Sequence, residues 1–480
     1  MRGMPRSPLV TILLGVLLTA CTDSAAPPSN SGRILTFAVQ PPRTAPHVVL
    51  APAPQVEVRF LSGERDTASN GDISLVLGPG APSAELLGTR TVRAVAGLAV
   101  FNDLEIDTSS TVALYASAPG GLQGSSRLFR VVVPFTSLSS GVNHSCAITM
   151  SGRAYCWGEN SSGQLGVGST SLVLTPRPVM TPSGITFSTI GVGHLHACAL
   201  TNLGALYCWG VNNGSSLGDG SAESRTAPVP VHTPTGVTFT FLNVGYYHSC
   251  AIATGGTTYC WGVNFYGELG DGTGQTPSEP VAVAAPAGVS FTQVSAGLWH
   301  TCGVTALGAA YCWGANDYGA LGDGTADSSW TPVPVSAPAG VTFTVVSAGA
   351  MHSCGLTPAG AAYCWGRNDG GQLGDGTTTS HSTPVAVQGT AGIHFAAITA
   401  GQLRTCAVSE SGAAYCWGST PPASISVPDA QHIVDVSVSL GDEACMLSNI
   451  GLAYCWGNNN FGQVGDSTQI PRPTPVAVMH

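Results

Sequence analysis

Lysine is missing from this chain: all 16 basic residues among its 480 are arginine. A phosphate loop built on a lysine ammonium and a Schiff-base mechanism are therefore both excluded. Charge of either sign is scarce, at 9% of residues, and it is uneven, since from residue 135 onward 6 Arg stand against 17 Asp and Glu. Such an acidic surface repels a phosphate backbone, so nucleic acid is not an expected partner. Long apolar runs are also lacking. The nearest candidate, residues 9–18 behind Arg2 and Arg6, is too short to span a bilayer and has the shape of a signal-peptide core. No H-E-x-x-H helix or dense Asp/Asn calcium loop occurs. No catalytic residue, cofactor or metal ion is expected, and the chain reads as a non-enzyme.

What is present begins with a short N-terminal signature. The apolar run ends in "LTAC", which resembles the lipobox of bacterial lipoproteins. The resemblance implies that residues 1–20 are a cleaved signal peptide and that Cys21 is lipidated, a membrane contact made through acyl chains alone. Thr22 rather than Asp follows the cysteine, which implies placement at the outer membrane or cell surface. Residues 21–32, rich in Ala, Pro and Ser, read as a flexible tether.

Residues 33–134 contain runs such as "QVEVRFLSG", "ISLVLG" and "STVALYASAPGG", strand-like and separated by Gly, Pro, Asp and Ser at the spacing of a small β-sandwich. The segment is similar to bacterial Ig-like modules. It has no cysteine, so an antibody-type bridge is excluded, and a spacer role is expected.

The remainder, 135–480, repeats. Tyr-Cys-Trp-Gly recurs with its tryptophan at 157, 209, 261, 313, 365, 417 and 456, at five intervals of 52 residues and a last one of 39. A period of about 50 residues with strand-like content points to a closed array. Each unit carries four strand-like runs, and four strands in seven units is the arithmetic of a seven-bladed β-propeller in an all-β chain.

Fourteen cysteines fall into pairs ten apart: Cys146/Cys156, Cys198/Cys208, Cys250/Cys260, Cys302/Cys312, Cys354/Cys364, Cys406/Cys416 and Cys445/Cys455. A hairpin folded about the Gly-containing turn between them sets the two opposite each other, within reach of a disulfide. The rival is a metal site, because His144, His196, His248, His300 and His352 each precede a first cysteine by two residues. Units six and seven have Arg404 and Glu443 there and still keep both cysteines, as disulfides predict. The histidines are then expected to pack and hydrogen-bond, and the repeated tryptophans to pack blade on blade. Asp271, Asp323 and Asp375, single in "GDGT", are expected to shape turns.

The order Gly-x-x-His, then Leu-Thr-x-x-Gly-x-x-Tyr-x-Trp-Gly, then Asn-x-x-Gly-x-Leu-Gly-Asp-Gly-Thr resembles the repeat of the regulator of chromosome condensation family across residues 135–480. Two departures stand out. Cysteines occupy positions that are small or apolar in that family, and unit six replaces the Gly-Gln-Leu-Gly-Asp-Gly segment with "STPPASISVPDA", so its rim should be irregular. The GTPase and chromatin partners of the nuclear founder do not suit an acidic, exported chain. A secreted bacterial propeller of the same repeats that inhibits β-lactamases fits the compartment better.

Variation between units marks a candidate surface. The stretches before the first cysteine and after Trp-Gly should meet at one end of each hairpin. They carry Leu195, Tyr246, Tyr247, Trp299 and Met351 on one side and Phe265, Tyr266, Tyr318 and Phe461 on the other. Aromatics and Met gathered on a loop face have the composition of an interface core. The expected function is a non-catalytic, envelope-anchored monomer that presents this face to a protein or glycan; an inhibitor capping an extracellular hydrolase, or a structural envelope component, is the alternative. Finally, units two to seven each begin with a Pro-Val-like strand, such as the one at 331–335, and unit one lacks it, which predicts that residues 475–478 return to unit one and close the ring there.

Overall fold

The computed structural model describes residues 32–42, 44, 49–78, 84–106, 110–131, 134–428, 431–441 and 443–479. The signal-peptide, Cys21 and most of the tether assignments lie outside the described residues. Among the described residues every regular element of more than a single turn is a β-strand, and the chain divides into two compact units between Val131 and Val132.

The N-terminal unit has a three-stranded sheet of Arg33–Val39, Gln55–Phe60 and Leu98–Val100, and a four-stranded sheet in the order Leu122–Ser125, Leu114–Ala118, Asp72–Leu77 and Thr91–Arg93. Alternation builds its core: Ile73 and Leu75 point in while Asp72 and Val76 face solvent. Residues from both sheets, Val56, Val58, Leu75 and Leu114 among them, share one apolar cluster.

The second unit consists of seven four-stranded antiparallel sheets, each taken from four consecutive strands. Sheet one is Phe135–Ser140, His144–Thr149, Ala154–Gly158 and Val173–Pro178; sheet two is Phe187–Val192, His196–Thr201, Leu206–Gly210 and Arg225–Pro230. In sheet seven the order is Ile433–Val438, Glu443–Ser448, Ala453–Gly457 and Arg472–Ala477. The second strand of most sheets is buried at every position, because a neighbouring sheet covers each face. The innermost strands line one central cavity through Ser139, Asn243, Gln293, Ser347, Thr399 and Ser437.

This order corrects the expected closure. The Pro-Val strand ends a sheet instead of beginning one: Tyr155 pairs with Pro178 and Cys156 with Arg177. In sheet five the strand beside Cys364 is His381–Ala386, with Val385 opposite that cysteine, and not the Pro-Val run expected to lead its unit. That run lies in Ser329–Pro334 and ends sheet four, with Val333 opposite Cys312. Likewise Arg472–Ala477 pairs with Ala453–Gly457 inside sheet seven, Cys455 opposite Val476, and does not return to sheet one. Sheets one and seven meet face to face instead. Phe135, Leu138 and Trp157 pack with Leu447, Ala453, Val464 and Val478. Trp157 Nε1 donates to the Gln463 carbonyl at 2.8 Å, and the Ser140 amide to Ser437 Oγ at 2.9 Å.

The same contacts recur between other sheets. Trp261, Trp313 and Trp365 each donate from Nε1 to a loop carbonyl of the preceding sheet, at 3.1, 2.9 and 2.9 Å. That approach requires glycine beside the carbonyl: a Cβ on Gly270 or Gly322 would lie 2.6 Å from the indole nitrogen, and both have positive φ, 67° and 72°. Sheet six has an outer strand of only two residues, Ala423–Ser424, where the altered sequence of unit six replaces the usual loop. Sheet three ends equally short, at Val281–Ala282.

Candidate functional site

The paired cysteines lie directly opposite in each middle hairpin, as Cys146 does Cys156, Cys302 does Cys312 and Cys354 does Cys364. Their Cα atoms are 4.0–4.1 Å apart, and all seven pairs are bonded, Cys364 to Cys354 among them. All fourteen but Cys416 are fully buried. The bridge holds together the two strands whose ends carry the candidate loops.

Those loops are tied by backbone bonds. Val211 N donates to Leu195 O at 2.8 Å, Val263 N to Tyr247 O at 3.1 Å, Ala315 N to Trp299 O at 2.8 Å and Arg367 N to Met351 O at 2.9 Å. Neighbouring sheets are joined at the same level, with Tyr246 N donating to Gly297 O at 3.0 Å and Leu298 N to Gly349 O at 3.1 Å. The side chains therefore stand on a fixed platform, since few main-chain groups there are left to rearrange.

Aromatic rings collect on one arc of that platform. Tyr246 and Tyr247 have centroids 4.3 Å apart, Tyr247 lies 4.9 Å from Trp299, and Tyr266 meets Trp299 edge-on at 5.5 Å. His194 extends the chain, 4.3 Å from Tyr246. Burial and the adjoining Tyr247 push the Tyr246 hydroxyl up to about 12, and burial lowers the His194 ring below the usual imidazole value. Both are neutral near pH 7, so the arc offers neutral π-faces and hydroxyls.

The remaining expected residues are placed differently. Tyr318 lies under the Arg367 guanidinium, 5.4 Å from it, and Arg367 also bonds Asp369 at 2.6 Å and reaches Met351 Sδ at 3.8 Å. Phe265 is 67% exposed, yet neither it nor Phe461 joins the stack by a ring contact among the described residues. Leu195, Tyr246, Tyr247, Trp299 and Met351 are half-buried. The ring contacts run over sheets two to four. At the corresponding positions Asn143 stands before sheet one and Gln402 and Leu403 before sheet six. A further set carries no signal in the repeat pattern: the opposite hairpin turns expose Met150, Leu203, Leu307 and Ile450.

The histidines are structural. His196, His248, His300 and His352 place Nε2 at 3.1, 2.7, 2.8 and 2.9 Å from Ser249, Thr301, Ser353 and Thr405 on the next sheet. Burial pushes His248 and His352 down to about 3, and His196 and His300 to about 4. None of them lines the central cavity. Asp271 accepts from Thr273 N at 2.9 Å and from Asn264 Nδ2 at 3.2 Å, which makes it a turn former.

Comparison with known proteins agrees with this architecture. The regulator of chromosome condensation (RCC1) repeat matches residues 151–200, 204–252, 255–304, 308–356 and 359–408. The chain is 31% identical over 283 residues to the ultraviolet-B receptor UVR8 of Arabidopsis thaliana, covering 59% of this chain and 64% of that protein. To the human E3 ubiquitin-protein ligase HERC2 it is 30% identical over 303 residues, 63% of this chain and 6% of that protein. Both shares fall below two thirds of those relatives. The structure of Prp20p from Saccharomyces cerevisiae superposes with a TM-score of 0.60 at 19% identity, over 72% of this chain and 88% of that one. The chain belongs to the RCC1-repeat family, and its repeats form an RCC1-like propeller.

Proposed function

We propose that this protein is a non-catalytic binding protein of the cell envelope. It is lipid-anchored through Cys21, lifted by an Ig-like spacer, and binds a protein or glycan with a seven-bladed propeller. The observation that carries the reading is the continuous stack of His194, Tyr246, Tyr247, Trp299 and Tyr266 on a platform fixed by main-chain bonds. Partly exposed aromatics on a rigid support gain contact area at little entropic cost. Protein partners have a precedent in the fold, since Prp20p has binding properties toward Gsp1p and histones. Seven disulfides support an oxidising compartment.

Two experiments test it. A photo-reactive residue at position 266 should crosslink a discrete envelope partner. Tyr247→Ala with Trp299→Ala should abolish that crosslink, while Leu307→Ala, at the opposite hairpin end, should leave it. An unchanged crosslink in the double variant with an intact melting temperature sinks the binding assignment. For the anchor, Cys21→Ser should release the protein from membranes; unchanged fractionation refutes lipidation.

A further inference from the structure

Three consecutive joins between neighbouring sheets share a bonding pattern that the join of sheets one and two lacks. Where sheets four and five meet, the Ser353 hydroxyl lies 2.8 Å from His300 Nε2 and donates to the Ala320 carbonyl at 2.9 Å. Trp365 Nε1 donates to the same carbonyl at 2.9 Å. The preceding join repeats it: Thr301 Oγ1 is 2.7 Å from His248 Nε2 and donates to Glu268 O at 2.8 Å, which Trp313 Nε1 also reaches. Thr405 does the same between His352 and Gln372 O, at 2.9 and 2.9 Å. Because the hydroxyl spends its proton on the carbonyl, it must accept from the histidine, which fixes Nε2–H as the tautomer in each case.

Between sheets one and two the residue at the hydroxyl position is Ala197. The facing histidine, His144, is fully buried and neither ring nitrogen has a hydrogen-bond partner among the described residues. The indole Nε1 of Trp209, also fully buried, has none either among the described residues, a state it shares with Trp417 Nε1 beside Thr405. The surroundings are otherwise conventional. Trp209, Ala197, Cys146 and Leu165 share one core cluster, and a Cβ on Gly166 would lie 2.7 Å from Trp209 Nε1, as at the other joins. The loop carbonyl that corresponds to Ala320 and Glu268 belongs to Gln164.

We propose that one water molecule is bound at this join, between the His144 ring and the Gln164 carbonyl, in the place of the hydroxyl that Ala197 lacks. Like the hydroxyls at the neighbouring joins, it accepts from His144 Nε2–H and donates to Gln164 O; unlike them it also accepts from the unpartnered Trp209 Nε1–H, about the three bonds typical of an interior water. Two neutral donors and a carbonyl suit a neutral ligand that both donates and accepts, and the carbonyl disfavours an anion. A metal ion is unsuited, because a single histidine is the ligating side chain at this position among the described residues. Burial, which pushes His144 down to about 3, keeps its ring neutral as this arrangement needs.

The test is a high-resolution crystal structure of the full chain beside that of Ala197→Ser, a substitution that installs the residue already found at Ser145, Ser249 and Ser353. The parent should show one isolated peak within hydrogen-bonding distance of His144 Nε2 and Gln164 O. In the variant the introduced hydroxyl should replace that peak, and the melting temperature should equal or exceed the parent's. An empty site in the parent overturns the proposal, as does a variant that melts lower or keeps the peak beside its new hydroxyl. The side-chain 15N spectrum of His144 gives a second reading in solution: Nε2–H in slow exchange with a bonded shift is expected, and a free-imidazole shift refutes it.

Discussion

The Ser145 hydroxyl donates to Glu443 Oε1 at 2.7 Å and lies 3.2 Å from the Gln463 carbonyl, so one side chain on the first sheet meets two groups on the last. Glu443 fills, for this join, the position that histidine occupies elsewhere. Burial holds its carboxyl well above the usual range, so it stays protonated and presents Oε1 as a neutral acceptor. Ser145→Ala takes the hydroxyl from Glu443 Oε1 in a dry interface, while the Gln463 carbonyl keeps its bond from Trp157. A loss of about 1–3 kcal/mol is expected by urea unfolding, with the β-sheet circular dichroism unchanged. Removing residues 473–480 costs sheet seven its outer strand and takes Val478 from this interface, and leaves the Trp157–Gln463 bond in place.

Glu268 provides a pH test. It is fully buried, burial pushes its carboxyl up to about 7, and Oε2 accepts from Tyr266 N at 2.8 Å. Gln164, Gln372 and Gln463 occupy the same place in other units and accept the same main-chain bond, at 2.9 Å each. With the folded pKa raised, the stability that Glu268 contributes is present below about pH 4.5 and is lost as pH rises through about 7. Glu268→Gln should therefore match the parent near pH 4 and exceed it near pH 8, by at most about 3 kcal/mol. Equal urea midpoints at both pH values would remove the assignment.

The histidines act in the opposite direction. His248 is pushed down to about 3 in the folded chain, so its contribution is present above its ordinary value of 6.5 and is lost as pH falls below it. His248→Gln retains an N–H to reach Thr301 and does not titrate. Its stability relative to the parent should improve by about 1.4 kcal/mol per pH unit as pH falls from roughly 6.5 to 4. A difference independent of pH would show that this ring is not held neutral.

Removing one bridge, by Cys250→Ala with Cys260→Ala, should cost about 2–3 kcal/mol, because each closes a short loop. Non-reducing peptide maps of the parent should contain only bridges between cysteines ten apart, such as Cys250–Cys260 and Cys354–Cys364. Any bridge between units contradicts the hairpin register.

Much of the architecture was legible in the sequence. Cysteines at a spacing of ten with Gly-containing turns between them predict opposed positions, and the hairpins pair Cys198 with Cys208 accordingly. Strand order was not legible, since a period has no starting point: a Pro-Val run that precedes one unit also follows another. Only pairings such as Tyr207 with Pro230 and Cys364 with Val385 decide between them. In the candidate site, Tyr247 and Trp299 were identifiable from variation between units. His194 was not, because "GHLH" offers two histidines and the repeat pattern accounts only for His196. Half-burial escaped as well, since it depends on the loops at either end of each hairpin bonding to one another.

Each disulfide joins a cysteine to the next one along the chain, with no other cysteine between them. As the polypeptide emerges from whatever synthesises or translocates it, the correct partner is always the nearest thiol to arrive. Oxidation can then keep pace with emergence, one hairpin at a time, without waiting for the ring or for an isomerase to correct distant pairings. Adding or losing a unit leaves every other thiol with its proper mate, so the covalent framework places no limit on how many repeats such a chain can carry.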